Sequence, residues 1–203
     1  MGGYPVLGNM RKQSNSGHAK GLADIAKELR RLTVRMAVKA GTGHIASGLS
    51  ICDILTALFF KTMRGDFAKS GDKNRDYFVL SKGHGAISLY AALHVKGLLS
   101  ERDLFSYMEE GSRLTAFPAP PYLHGIDFAS GSLGHGLPVA CGIALGKKRD
   151  GFASRVFALL SEGDCQEGST WEAALFAGFH RLNNLTVIID HMGVCTMPNL
   201  IPC

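Results

Sequence analysis

Along this chain the apolar positions change period several times, and each change marks an element. Leu22, Ile25, Leu29, Leu32 and Met36 recur at spacings of 3, 4, 3 and 4, which predicts an amphipathic helix over about 19–40. It delivers the chain to Gly41-Thr42-Gly43-His44, where the glycines permit a tight path and the histidine can point into a pocket. A second helix is expected from near Leu49, with Ser50 and Asp53 as capping residues and Ile51, Ile54, Leu55 and Leu58 as its buried face. Residues 61–73 are polar and loop-like. Tyr77 to Leu80 is a short strand, and after Ser81-Lys82-Gly83-His84-Gly85 the stretch 86–95 is again helical. Residues 111–128 hold Pro118, Pro120 and Pro121 with few periodic apolar positions, a long loop of the kind that tends to carry function. It runs into Gly131-Ser132-Leu133-Gly134-His135-Gly136 and a helix bearing Leu137, Ala140, Ile143 and Leu145. The apolar run 155–160 then reads as a buried strand, Glu167 to Leu182 as a helix with Trp171, Leu175 and Leu182, and 185–189 as another strand.

Strand, glycine-bearing loop, helix: this succession predicts an α/β fold of three layers, α/β/α, with a mostly parallel sheet. Strands near 77–80, 156–160 and 185–189 should open on one cleft. Residues 1–18 mix Gly, Ser, Asn and basic residues without periodicity and are expected to be a flexible segment, with one domain over 19–203. That start lacks a signal peptide's apolar run, and Val6 stands where a myristoylation signal wants Ser or Thr. With no apolar stretch near the roughly 20 residues that cross a bilayer, a soluble, cytoplasmic protein without membrane contact is expected.

Composition adds little beyond this. The 46% hydrophobic content suffices for a core, and the net charge of +5 is modest. Basic clusters at Arg30-Arg31-Arg35 and Lys147-Lys148-Arg149 fall at helical spacing or a helix end, as solvated faces do. No aromatic interleaving or known module points to nucleic acid; an anionic, phosphate-bearing ligand accounts for the excess equally well. Cys52, Cys141, Cys165, Cys195 and Cys203 show no close pair and no zinc spacing, and read as reduced thiols. Cys165 lies in the acidic loop, where packing explains it better than nucleophilic chemistry.

That loop, Ser161-Glu162-Gly163-Asp164-Cys165, lies between a strand and a helix, outside the carboxyl end of a parallel strand where ligands bind. Backbone N–H groups at the following helix take anions, and carboxylates beside a phosphate make sense when a divalent cation lies between them. Lys82 and His84 supply further donors at a helix start. Taken alone, His84 also fits a satisfied loop histidine. A dinucleotide site is the rival reading of the glycines, but they follow no clear strand and open no first βα unit.

Ser161 to Ala173 with the strand 185–190 resembles the thiamine diphosphate motif of transketolases. The likeness extends in family order through Gly41-Thr42-Gly43-His44, Arg75 to His84, Gly125-Ile126-Asp127 and Gly131 to Gly136, about residues 20–195. It implies a thiamine diphosphate-binding fold and the diphosphate-binding subunit of a split transketolase, moving a two-carbon ketol unit with thiamine diphosphate and Mg²⁺. The cofactor would be held by His44, Lys82, His84, Gly131, Ser132, Leu133, Glu162 and Gly163, with His44 and Glu167 catalytic. Glu167 would lie at a subunit interface, or else serve as a helix N-terminal acid. The family's three metal oxygens fall on Glu162, Met192 and the carbonyl of Val194, with Asp164 as a substitute carboxylate. Ala116-Phe117-Pro118 stands where the family often has Gly-His-Pro, and His135 replaces a glutamine. Activity would need a complementary pyrimidine-binding chain in a hetero- or homo-oligomer, with a ketose or aldose phosphate or another aldehyde as substrate. The chain is shorter than such a subunit normally is. The alternative is a non-catalytic homologue that acts as an assembly partner, and an NAD-linked enzyme is a third.

Overall fold

The computed structural model describes residues 21–69, 72–118, 123–128 and 130–192. The segment 1–18 and residues Val194, Cys195 and Cys203 lie outside the described residues. Helix α1, Leu22–Ala40, buries Leu29, Leu32 and Met36 on one stripe, as the 3–4 spacing requires, and ends at Gly41 with φ 66° in the left-handed region. The second helix differs from its prediction. It begins at Ile45, with His44 as N-cap, and breaks at Ile51 into α2 (Ile45–Ser50) and α3 (Cys52–Ala57). A π turn, Leu58–Thr62, follows, so the first two residues of the expected loop 61–73 are helical. Ser50 is not a cap, because its hydroxyl donates to Ser47 O and to Asp190. A serine before an apolar run satisfies the capping pattern equally well when its partner is distant in sequence.

Three strands, β1 (Tyr77–Leu80), β2 (Val156–Ser161) and β3 (Leu185–Asp190), lie in the order β1-β2-β3, all parallel. Tyr77 pairs with Val156, and Val156 with Leu185. Strand side chains alternate between two cores. Phe78, Leu80, Phe157 and Leu159 join α1, α3 and α4 (Ala86–Val95) on one face. Val79, Val156, Ala158 and Leu160 join α6 (Gly136–Arg149) and Ala173 of α7 (Gly168–Phe179) on the other. A short α5, Glu101–Leu104, follows α4, with Ser100 as its N-cap accepting from Asp103 N. The three layers and the parallel sheet are those expected from sequence. Helix α7 is shorter than its predicted span: Glu167 is its N-cap and Phe179 its last residue.

At the amino end of the sheet, buried Asp76 binds Arg64 and Arg155 and accepts from Arg155 N at 2.8 Å. Burial alone would raise this carboxyl, but the two guanidinium groups and backbone donors outweigh it and hold it at about 2. Nearby, Arg75 pairs with Asp127 and stacks 4.3 Å from the Tyr77 ring centre. These contacts fix the sheet's lower end, away from the loops at its carboxyl edge.

Candidate functional site

Each parallel strand ends in a loop, and the loops meet at the carboxyl edge of the sheet. From β1 the chain runs through Ser81 and Lys82 into a 3₁₀ turn, Gly83–Gly85, that carries His84 into α4. From β2 it runs through Glu162 into a second such turn, Gly163–Gln166. From β3, Asp190 leads to His191 and Met192.

Asp164 organises this edge. Its fully buried carboxylate accepts from Ser81 Oγ at 2.6 Å, Gly134 N at 2.8 Å, Ser161 N at 2.7 Å and Ser161 Oγ at 2.8 Å. The expectation that Asp164 could replace a metal carboxylate fails here, since leaving these donors would strand them without partners. The same bonds pin the 131–136 loop across the ends of β1 and β2. Gly134 has φ 76°, and a Cβ there would lie 2.5 Å from Glu167 Cβ, so the loop passes α7 only with a glycine.

His44, His84 and Phe117 form one aromatic cluster. The imidazoles meet edge-on at 4.9 Å, and the Phe117 ring stands 5.4 Å from His84 and 6.2 Å from His44. Phe117 also lies beside Gly131 and accepts, at its carbonyl, from Tyr90 Oη at 3.2 Å. Burial, then the neighbouring His44 and Lys82, push His84 below its ordinary 6.5, so it is neutral at pH 7. It therefore offers an N–H and a lone pair rather than a positive charge. In the sequence Phe117 stands out only as a departure from the family pattern; the ring contacts make it part of the cluster.

The remaining expected residues are placed as follows. Ser132 is exposed on its loop, and Leu133 packs over Gly163, where a Cβ would come within 2.8 Å of Leu133 Cδ1. Glu162 pairs with His191 and accepts from Met192 N at 3.1 Å. Lys82 is buried, with its ammonium on Asp190. Glu167 is exposed at the start of α7, and its side chain caps nothing there. His135 turns back to Leu133 O at 3.0 Å. Burial, with Asp164 and Glu162 beside it, pushes the Cys165 thiol up, which agrees with a packing role.

Residues 22–197 match the family model for the transketolase thiamine diphosphate-binding domain. The chain belongs to the transketolase family. The transketolase family protein y4mO of Sinorhizobium fredii is 43% identical over 176 residues, 86% of this chain and 62% of that protein. The 6-deoxy-6-sulfo-D-fructose transketolase subunit SqwG of Clostridium sp. (strain MSTE9) is 39% identical over 82% of this chain and 60% of its own length. Among solved structures, a transketolase from Leishmania mexicana superposes with a TM-score of 0.81 at 27% identity, covering 86% of this chain and 28% of that one. The chain thus spans about three-fifths of the two curated relatives and little more than a quarter of the solved transketolase.

A transketolase domain of this kind takes thiamine diphosphate, and two observations suit that group. Ser130 Oγ is buried without a partner among the described residues, an unspent polar atom beside the Gly131 loop. Leu133 supplies an apolar surface next to the backbone of Gly163. Mg²⁺ is a different matter. It demands near-octahedral oxygen ligands, whereas the described residues offer one engaged carboxylate, Glu162, and the thioether of Met192. No three His, Cys, Asp or Glu side chains that could hold a metal gather among the described residues. Of the expected donors, the two described, Glu162 and Met192, make a poor set for Mg²⁺, and the Val194 carbonyl lies outside the described residues.

Proposed function

We propose that this chain is the diphosphate-binding part of a transketolase-like transferase that moves a two-carbon ketol unit between a ketose and an aldehyde acceptor. The observation that carries the proposal is the convergence of His44, His84, the Gly131–Leu133 loop and the Glu162–Gly163 turn at the carboxyl edge of the parallel sheet. Bound thiamine diphosphate would supply a nucleophilic thiazolium carbon. The chain's own part is to hold the diphosphate through the loop backbones and His84, and to present Leu133 as an apolar support. His84, held neutral, and the exposed His44 beside it stand ready to take up or give a proton, with the Phe117 ring packed against both.

The matched family domain is a thiamine diphosphate-binding one, and the named relative SqwG is a subunit, which supports this reading. A complementary pyrimidine-binding polypeptide, a hetero- or homo-oligomer, and a sugar phosphate or other aldehyde substrate belong to this same proposal. So does a cytoplasmic setting, supported by free thiols at Cys52, Cys141 and Cys165 and by the lack of any described helix long and apolar enough to cross a membrane.

Reconstitution is the test. The purified chain, mixed with a complementary transketolase subunit, thiamine diphosphate and Mg²⁺, should transfer a ketol unit between a ketose phosphate and an aldose phosphate. Binding of the cofactor without transfer, across a panel of partners, would instead support the non-catalytic homologue that the Met192 corner favours.

A further inference from the structure

Lys82 is the one basic side chain buried among the described residues, with only 1% of its surface exposed. Its ammonium is paired with the Asp190 carboxylate, with Ser50 Oγ at 3.4 Å and Met192 Sδ at 3.7 Å. Ser50 Oγ donates to that same Asp190 oxygen at 2.6 Å. An ion pair this deep gains little net stability, because both partners give up their water; its value lies in the arrangement it enforces.

The arrangement reaches every strand end of the cleft. Lys82 opens the turn that carries His84. Ser50 closes α2, whose N-cap is His44. Asp190 ends β3 in register with Ser161, and the two residues after it hold Glu162, through the His191 pair and Met192 N. One carboxylate thus ties together the segments bearing three of the proposed cofactor groups. These segments lie up to 140 positions apart in the chain.

We propose that the Lys82–Asp190 pair is a positioning device for the cleft and that Lys82 does not itself contact the diphosphate, a proposal that rests on the thiamine diphosphate reading above. To reach a phosphate, the ammonium would have to leave a buried carboxylate uncompensated, which is among the costlier changes a core can suffer. With its ammonium held by Asp190 and Ser50, Lys82 spends its directed hydrogen bonds inside the core, and removal of the pair would release the turns on which His84 and Glu162 stand.

The test uses the whole chain and its Asp190→Asn variant, titrated calorimetrically with thiamine diphosphate in Mg²⁺-containing buffer, well below the melting temperature of both proteins. The positioning account expects affinity to fall by about tenfold or more. A rise would overturn it, because the freed ammonium would then be serving the diphosphate directly; unchanged affinity would overturn it too, leaving a pair that is merely structural. Should that variant not fold, the double variant Lys82→Gln, Asp190→Asn keeps a neutral hydrogen-bonded tie. Its affinity should stay within about threefold of the parent chain, and a loss of about tenfold would mark Lys82 as a ligand. Hydrogen exchange of the free chain separates this proposal from the reading beneath it. In Asp190→Asn, exchange should quicken at 81–85 and at 162–166 whether or not the cofactor binds, and quickening confined to 188–192 would sink the tie. A parent chain that ignores thiamine diphosphate sinks the reading instead.

Discussion

Met192 offers a cation a thioether whose sulfur lies against the Lys82 ammonium, 3.7 Å away. An amide oxygen in its place would add one hard ligand to a cation that tolerates little geometric error. Met192→Asn is therefore expected to tighten Mg²⁺-dependent thiamine diphosphate binding by at least about tenfold, roughly 1.4 kcal/mol. Calorimetric titration at fixed Mg²⁺, with any required partner present, decides it; equal affinities would show that position 192 does not reach the metal. Asp76 is a described residue whose ionisation bears on stability. Its carboxyl titrates at about 2 in the folded chain, below the ordinary 3.8. The stabilisation is thus fully present above the unfolded value and is lost as pH falls through the window from about 4 to about 2. Asp76→Asn should cost on the order of 2 kcal/mol at neutral pH and flatten that acid limb of the melting curve. Thermal melts of both proteins between these pH values measure it, and parallel curves would contradict the ion-pair account.

At the scale of elements, α7 and β3 are the least covered parts of the fold. Leu175 is 76% exposed and Phe179 83%, and Trp171 keeps its ring outside although its Nε1 donates to Cys165 O at 2.9 Å. With Val187 and Ile189 of β3, this side borders an apolar groove of about 480 Å³. Apolar surface gathered in this way is what subunit interfaces bury. The chain should therefore sediment as more than a 21.7 kDa monomer, alone or with the complementary subunit proposed above. Phe179→Glu should shift that equilibrium toward monomer by about tenfold or more, as expected when a large buried side chain becomes charged. Sedimentation velocity across a concentration series is the measurement, and a strictly monomeric chain with its partner present would contradict it.

For the molecule as a whole, the sheet was legible because 77–80 and 156–160 are short apolar runs that end up buried, and 185–189 is rich in β-branched residues although β3 is largely exposed. The helices were legible in type but not always in limits. Ser50 looked like a cap because its true partner, Asp190, is remote in sequence. The same distance hid the pairing of Lys82, which in sequence resembles any phosphate-binding lysine before a glycine. Asp164 was misread for a related reason: an acid in a glycine loop resembles a ligand until four donors are seen converging on it. Local period reports on elements, whereas the polar ties between strand ends depend on topology, which only the folded chain displays.

On the function proposed above, the carboxyl edge of this sheet holds the diphosphate end of thiamine diphosphate. Calorimetry that compares thiamine diphosphate with thiamine monophosphate, on the chain with and without a complementary subunit, tests it most directly. The account expects the diphosphate to bind at least about tenfold more tightly than the monophosphate, with His84→Ala erasing most of that preference. Equal binding of the two, or a preference untouched by His84→Ala, would contradict it.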